Sequence, residues 1–279
     1  MQVVIQPDAM AAAELVAQVV AGALRERPRL VLGLATGSTM DAVYARLCAL
    51  HRVEGLDFSA CRTFNLDEYV GLPASHPNSY RHYMNQHLFS QVNIDQGNTH
   101  VPDGAAPDLE AECRKYEGLI DQAGGIDLQL LGIGRSGHIG FNEPLSALNS
   151  RTRVEWLAAA TLEQNAPHFK NAVQMPRRAI TMGVGTILDC RRCLLLATGP
   201  DKADILARAV EGPLTAMVPA SALQMHPDCT VIADQAAASR LKGKRDYQVA
   251  SQNDPKWKRF LSSAPAVAGA KAGAPEERG

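Results

Sequence analysis

Three short stretches of this chain hold the residue types that proton-transfer chemistry needs, each placed after an apolar run. The sharpest is Gly132-Ile133-Gly134-Arg135-Ser136-Gly137-His138-Ile139-Gly140-Phe141-Asn142-Glu143-Pro144. Its glycines at 132, 134, 137 and 140 let backbone come close to a ligand or to another loop. His138 can titrate near neutrality, and Glu143 lies near enough in sequence to orient or charge it. A histidine with a carboxylate can move protons on and off oxygen atoms. A lone histidine is more often structural, but a Gly-rich setting after a buried strand favours catalysis. In Phe64-Asn65-Leu66-Asp67-Glu68-Tyr69 two carboxylates are adjacent. Side chains alternate in extended chain, so Asp67 and Glu68 should point in different directions, one to a cleft and one to structural partners. A carboxylate at a strand end suits proton abstraction beside a carbonyl or imine, while capping or ion pairing is the other use of such a pair. In the third stretch, Thr36-Gly37-Ser38-Thr39, a small hydroxyl-rich turn exposes backbone N–H groups at a helix start, which favours a phosphate. It is not a GxxxxGK(S/T) loop, and the same residues also serve as plain N-caps.

The elements that must position these groups alternate along the chain. Helical patterns cover Ala9 to Leu24, Asp41 to Leu50, Tyr80 to Leu88 and Lys202 to Val210. Continuous apolar runs at Leu30 to Leu34, Cys61 to Leu66, Ile126 to Gly132, Arg192 to Thr198 and Thr230 to Ala233 read as buried strands. This alternation predicts a single α/β domain over residues 1–261: an open, mostly parallel, Rossmann-like sheet with helices on both faces. In such sheets ligands sit at the carboxyl ends of the strands, where the three stretches fall. Asp254 to Leu261 carries Trp257 and Phe260 and is expected to pack on the body. Residues 262–279 are Ala, Gly, Pro, Ser and charge without periodicity, which predicts a disordered tail.

Composition sets the outer limits. Hydrophobic residues make up 46% and charged residues 20% of 279, an ordinary globular profile. A net charge of -1 supplies no field to draw in nucleic acid or an acidic membrane, so any anion must be held locally. The N-terminus lacks the basic start, apolar run and cleavage site of a secretory signal, and no run of apolar residues is long enough to span a bilayer. Six scattered cysteines suggest reduced thiols and a cytoplasmic protein. Cys190-Arg-Arg-Cys193 has CxxC spacing, but no second Cys or His pair lies nearby in sequence to complete a zinc site, and no metal is expected there. His82 and His87, five apart, do not share a helix face and read as surface or packing residues. Arg177-Arg178 and Lys242 to Arg245 read as solvated faces.

FNLDEYVGL, HPNSY, GHIGFNEP, SRTR and ITMGVGTIL, in that order from about Leu32 to Leu241, closely resemble the glucosamine-6-phosphate deaminase family. The resemblance implies conversion of an amino-sugar 6-phosphate and water to a keto-sugar phosphate and ammonia, with no metal or organic cofactor. By motif, Asp67 takes the C2 proton and returns it at C1, His138 shuttles a proton to the ring oxygen, and Glu143 supports His138. Phosphate would lie in the Thr36-Gly37-Ser38-Thr39 turn with Lys202.

Three departures stand out. Ser136 replaces the acid many members carry two residues before the histidine, which puts more of the tuning of His138 on Glu143. Asn165-Ala166-Pro167-His168-Phe169-Lys170 lacks the family's phosphate arginine, leaving His168 or Lys170 as substitutes. Glu155 stands where members activated by an N-acetylated sugar phosphate have a basic residue, which predicts no such activation. A galactosamine epimer, a lactonase on the same fold, and a sugar-phosphate sensor are the alternatives; a sensor would need a DNA-binding segment for which the chain has no room. The expected partner is a small sugar phosphate. A homo-oligomer is compatible, the family including both hexamers and monomers.

Overall fold

The computed structural model describes residues 1–169 and 175–261. The chain begins with β1 (Gln2–Gln6), α1 (Ala9–Glu26), β2 (Val31–Leu34), α2 (Ser38–Glu54), β3 (Arg62–Asn65), β4 (Asp67–Tyr69) and α3 (Tyr80–Met84). Next come β5 (Thr99–His100), α4 (Leu109–Gln122), β6 (Leu128–Gly132), β7 (Arg153–Trp156), α5 (Ala159–Asn165), β8 (Arg178–Thr181) and α6 (Val184–Leu188). β9 (Cys193–Ala197), α7 (Ala203–Glu211), β10 (Cys229–Asp234), α8 (Lys244–Asn253) and α9 (Pro255–Leu261) follow.

Seven strands form one sheet in the order β1-β10-β9-β6-β2-β3-β5, every pair parallel. Val31–Leu34, Cys193–Ala197 and Cys229–Asp234 are buried at every position, as strands covered on both faces must be. Parallel crossovers are right-handed, so the direction of each step along the sheet decides which face its helix covers. β1-α1-β2 and β2-α2-β3 step one way, which puts α1 and α2 on one face, and these two helices pack together. β5-α4-β6 and β9-α7-β10 step the other way, to the opposite face. Connections therefore leave the neighbouring strands β2 and β6 in opposite directions, and a crevice opens between their carboxyl ends.

A second, antiparallel sheet, β4-β8-β7, lies beyond that edge and was not evident from sequence. After β3 the chain makes one further bond to the main sheet, from Leu66 N–H to the Leu34 carbonyl (3.0 Å), and then pairs Asp67 with Thr181 of β8. β1, β5 and α4 were likewise unexpected. The helix expected over Tyr80 to Leu88 is α-helical to Met84 and widens into a π turn over Asn85–Phe89. Trp257 is fully buried against the main core, so α9 packs on the body. The tail expected over residues 262–279 lies outside the described residues. No described helix is long and apolar enough to cross a membrane.

Candidate active site

The crevice between β2 and β6 holds a cavity of about 130 Å³. Thr36 and Gly37 enter it from the β2 end, Asp67 from the β3 end, and Gly134 and His138 from the β6 end. Tyr80 and Phe141 form part of its wall, and Gln164 and Asn165 reach it from α5.

The two adjacent carboxylates have opposite fates, as alternation along an extended segment requires. Glu68 is 2% exposed and accepts the backbone N–H groups of Tyr69, Tyr80 and Arg81 at 2.8, 3.0 and 3.0 Å. It fastens the start of α3 to β4. Asp67 is 5% exposed, and its carboxylate accepts no hydrogen bond among the described residues. Burial first, and then the nearby Glu68 charge, push its proton affinity well above the ordinary carboxylate range. A buried carboxylate that faces a cavity without a donor can accept a proton or meet a cation there.

His138 is oriented from its own loop. A Cβ at Gly134 would fall 2.0 Å from His138 Nε2, so a residue without one is what lets the ring lie there. Ser136 Oγ is 2.8 Å from His138 Nδ1, and Glu143 Oε2 is 3.5 Å from the same nitrogen. Ser136 Oγ also donates to Glu143 Oε2 at 3.4 Å. A hydroxyl that donates to Glu143 accepts the Nδ1 proton, which makes a relay from Nδ1–H through Ser136 to Glu143. Thr161 Oγ1 of α5 closes on Nδ1 at 3.5 Å. Nε2 has no hydrogen-bond partner among the described residues and is the nitrogen open to a ligand. Burial works to raise the Glu143 carboxyl, but hydrogen bonds from His138 and Thr161, the His138 charge and the Ala158 N–H together hold it below its ordinary value.

The hydroxyl-rich turn Thr36-Gly37-Ser38-Thr39 opens α2. Gly37 holds φ +105°, a left-handed value natural to glycine, and the first amides of a 17-residue helix follow. Tyr83 OH donates to the Gly37 carbonyl (3.1 Å) and to Asp41 (2.6 Å), which ties the turn to the helix after it. Ser38 faces a neighbouring hollow lined also by Tyr80 and Asn165. Thr39 is half-buried within the first turn of α2.

Lys202 is not among the residues lining this cavity. It ends a short turn after β9, 3.9 Å from Asp201, whose carboxylate also meets Arg135 at 3.6 Å. Burial holds the Lys202 amine below its usual value, against the pull of Asp201 and helped by Arg135. His168 ends the turn Ala166–His168, but its side chain, and Lys170 altogether, lie outside the described residues. Tyr80, Thr161, Gln164 and Asn165 are site residues the residue-type reading passed over. Tyr80 entered only through HPNSY and the helical pattern it begins, Asn165 only as the first residue of the segment lacking the arginine, and no residue type marked Thr161 or Gln164.

Fold and site together define an α/β protein with a switch-point cavity equipped for acid–base chemistry. Residues 6–232 match the model of the family described as glucosamine-6-phosphate isomerases/6-phosphogluconolactonase. The chain belongs to that family. It is 52% identical over 248 residues to the glucosamine-6-phosphate deaminase of Shewanella loihica, covering 89% of this chain and 92% of that one. It is 54% identical over 223 residues to the one from a Geobacillus species, 80% of this chain and 89% of the relative. A solved structure of a monomeric glucosamine-6-phosphate deaminase superposes with a TM-score of 0.85 at 44% identity, covering 86% of this chain and all of that one. The 6-phosphogluconolactonase of Trypanosoma cruzi shares the fold at a TM-score of 0.70 with 20% identity, over 86% of this chain and 97% of the other.

Proposed function

We propose that this enzyme converts glucosamine 6-phosphate and water to fructose 6-phosphate and ammonia. The observation that carries the reading is the pairing, across one switch-point cavity, of an unpartnered buried aspartate with a histidine whose far nitrogen is already engaged. His138 Nε2 takes the proton of the C1 hydroxyl and passes it to the ring oxygen, so that the C1–O bond of the ring breaks as the C1 carbonyl forms and the sugar opens. Asp67 then takes the C2 proton and returns it at C1, and the ketimine formed is hydrolysed to release ammonia. Its raised proton affinity suits a base that must take a proton from carbon near neutral pH, and the cationic amino group of the substrate favours its ionised form on binding. Ser136 and Glu143 hold His138 in the tautomer with Nε2 exposed. We assign phosphate to the α2 amides with Thr36, Gly37, Ser38 and Thr39, and carry Lys202 over to it by motif, since Lys202 does not itself line the cavity.

Incubation with glucosamine 6-phosphate, without added metal, should yield ammonia and fructose 6-phosphate in equal amounts, and Asp67→Asn should yield neither. Turnover of 6-phosphogluconolactone with no ammonia from the amino sugar would overturn the reading. Faster turnover of galactosamine 6-phosphate would change the epimer and keep the chemistry. Residues 1–261 are the catalytic unit, so a chain ending at Leu261 should keep its kcat/KM. The Arg153 guanidinium is already met by Glu155 at 2.6 Å, and N-acetylglucosamine 6-phosphate should therefore leave half-saturation unchanged. We place the enzyme in the cytoplasm, where its thiols stay reduced and phosphorylated sugars are found.

A further inference from the structure

Outside the cavity lining, Cys190 in the turn after α6 and Cys193 at the start of β9 bring their sulfur atoms 3.2 Å apart. Both are buried, at 5% and 0% exposure. His226, which sequence reading did not connect with them, arrives from the turn before β10. Its Nε2 lies 2.7 Å from the Cys190 carbonyl oxygen and 3.6 Å from the Cys190 sulfur. The three candidate ligand atoms meet within 4.8 Å, the separation expected of a Cys-Cys-His metal set. The hydrogen bonding argues otherwise. Asp228 N–H donates to His226 Nδ1 at 3.1 Å, so Nδ1 carries a lone pair and Nε2 carries the ring proton. A metal on Nε2 would need that proton moved to Nδ1, directly against the Asp228 N–H. Left as it is, the Nε2–H is held by the Cys190 carbonyl oxygen at 2.7 Å and reaches the Cys190 sulfur as a longer second contact at 3.6 Å, which stabilises negative charge on that sulfur, with a second thiol in contact.

We propose that Cys190 and Cys193 form a reversible oxidation site that takes a small hydroperoxide and closes to a disulfide. The Cys190 thiolate attacks one peroxide oxygen, the O–O bond breaks, and the departing hydroxide takes up the proton that Cys190 gave up, leaving as water. Cys193 sulfur then attacks the sulfenic sulfur of Cys190. The S–O bond breaks, and the hydroxyl leaves with the Cys193 proton as a second water. Two thiols lose two electrons and two protons, and one peroxide is reduced to two waters. Burial of both thiols favours an oxidant as small as hydrogen peroxide over a bulky disulfide. Cys229 is the competing thiol, since it sits opposite Cys193 in the β9–β10 register, but among the described residues it is the Cys190 sulfur that His226 Nε2 reaches, at 3.6 Å.

The test uses the reduced full-length protein in a chelating buffer, treated with one equivalent of hydrogen peroxide, alkylated and digested with trypsin. Cleavage after Arg191 and Arg192 separates the two cysteines, so the disulfide holds together peptides that otherwise part. The expected result is that linked pair, with two of the six thiols lost and both regained on dithiothreitol. Cys193→Ser should leave a sulfenic acid at Cys190 that dimedone captures. His226→Gln should slow the oxidation at neutral pH about tenfold by lowering the thiolate fraction. The proposal fails if Cys229 supplies the linked partner, or if Cys190 over-oxidises while Cys193 remains free to alkylate. It also fails if the purified protein holds one zinc per chain and the pair reacts only after the metal is stripped. The wild-type peptide result decides the matter even if either variant does not fold.

Discussion

The main sheet has a buried aspartate near each end of its strands, and the two live under opposite rules. Asp127 precedes β6 at the amino end. It is bound by Arg27 at 2.6 Å, by Arg191 at 2.8 Å and by the Val31 N–H at 2.9 Å. Asp67 follows β3 at the carboxyl end, equally buried, with no hydrogen-bond donor to its carboxylate among the described residues. Burial therefore marks neither as functional. What separates them is the deficit of partners at Asp67, which is costly to a resting protein and useful only where a proton or a cation is to be received. Glu68, the very next residue, shows how readily the fold supplies three donors where a carboxylate is structural.

The largest effects break this comparison in two opposite ways. Asp67→Asn should lower kcat about 10³-fold and at the same time raise thermal stability at neutral pH. The folded state binds the Asp67 proton more tightly than the unfolded chain does, so its stabilising share is complete at acid pH and is lost as pH rises through the raised value. The gain in Tm should accordingly shrink as the medium is acidified. In the wild type, kcat/KM should fall on the acid side at a pH above the ordinary aspartate range. A variant less stable than wild type at neutral pH would show that Asp67 has structural partners after all. Asp127→Asn should do the reverse, since it leaves two arginines short of their carboxylate. We expect a loss of about 2 kcal/mol, roughly 5 °C in Tm, with kcat/KM per folded molecule unchanged. A catalytic defect that persists in fully folded Asp127→Asn would overturn the division between the two ends.

How far this division could be read in advance depended on distance along the chain. The loops after Leu34, Leu66 and Gly132 could be located because each follows a continuous apolar strand, and the opposed orientations of Asp67 and Glu68 come from alternation alone. The antiparallel sheet could not. Arg153–Trp156 and Arg178–Thr181 are short, the first of them half-exposed, and their pairing joins residues far apart in sequence. Gln164 and Asn165 reach the cavity through the placement of α5, which residue types do not encode. His226 meets Cys190 only because β9 and β10 are neighbours, and a rule based on ligand spacing along the chain passed over it.

The smallest effect concerns the relay on His138. Ser136 makes the short contact to Nδ1 at 2.8 Å, whereas Glu143 stands back at 3.5 Å. Ser136→Ala removes the hydroxyl and leaves the carboxylate to hold the ring at a distance where the bond is weak, so kcat should fall about tenfold with KM little altered. The Glu143 carboxyl lies below its ordinary value, so its charge is present above the usual glutamate range and is lost only as pH falls through the lowered value. Acidification should thus silence Asp67 well before it discharges Glu143. Ser136→Asp sharpens the point by placing a second negative charge against Nδ1. It keeps an acceptor for the Nδ1 proton and should hold kcat nearer the wild-type value than Ser136→Ala does. If Ser136→Ala leaves kcat unchanged, the hydroxyl is only filling space, and Glu143 with Thr161 orients His138 unaided.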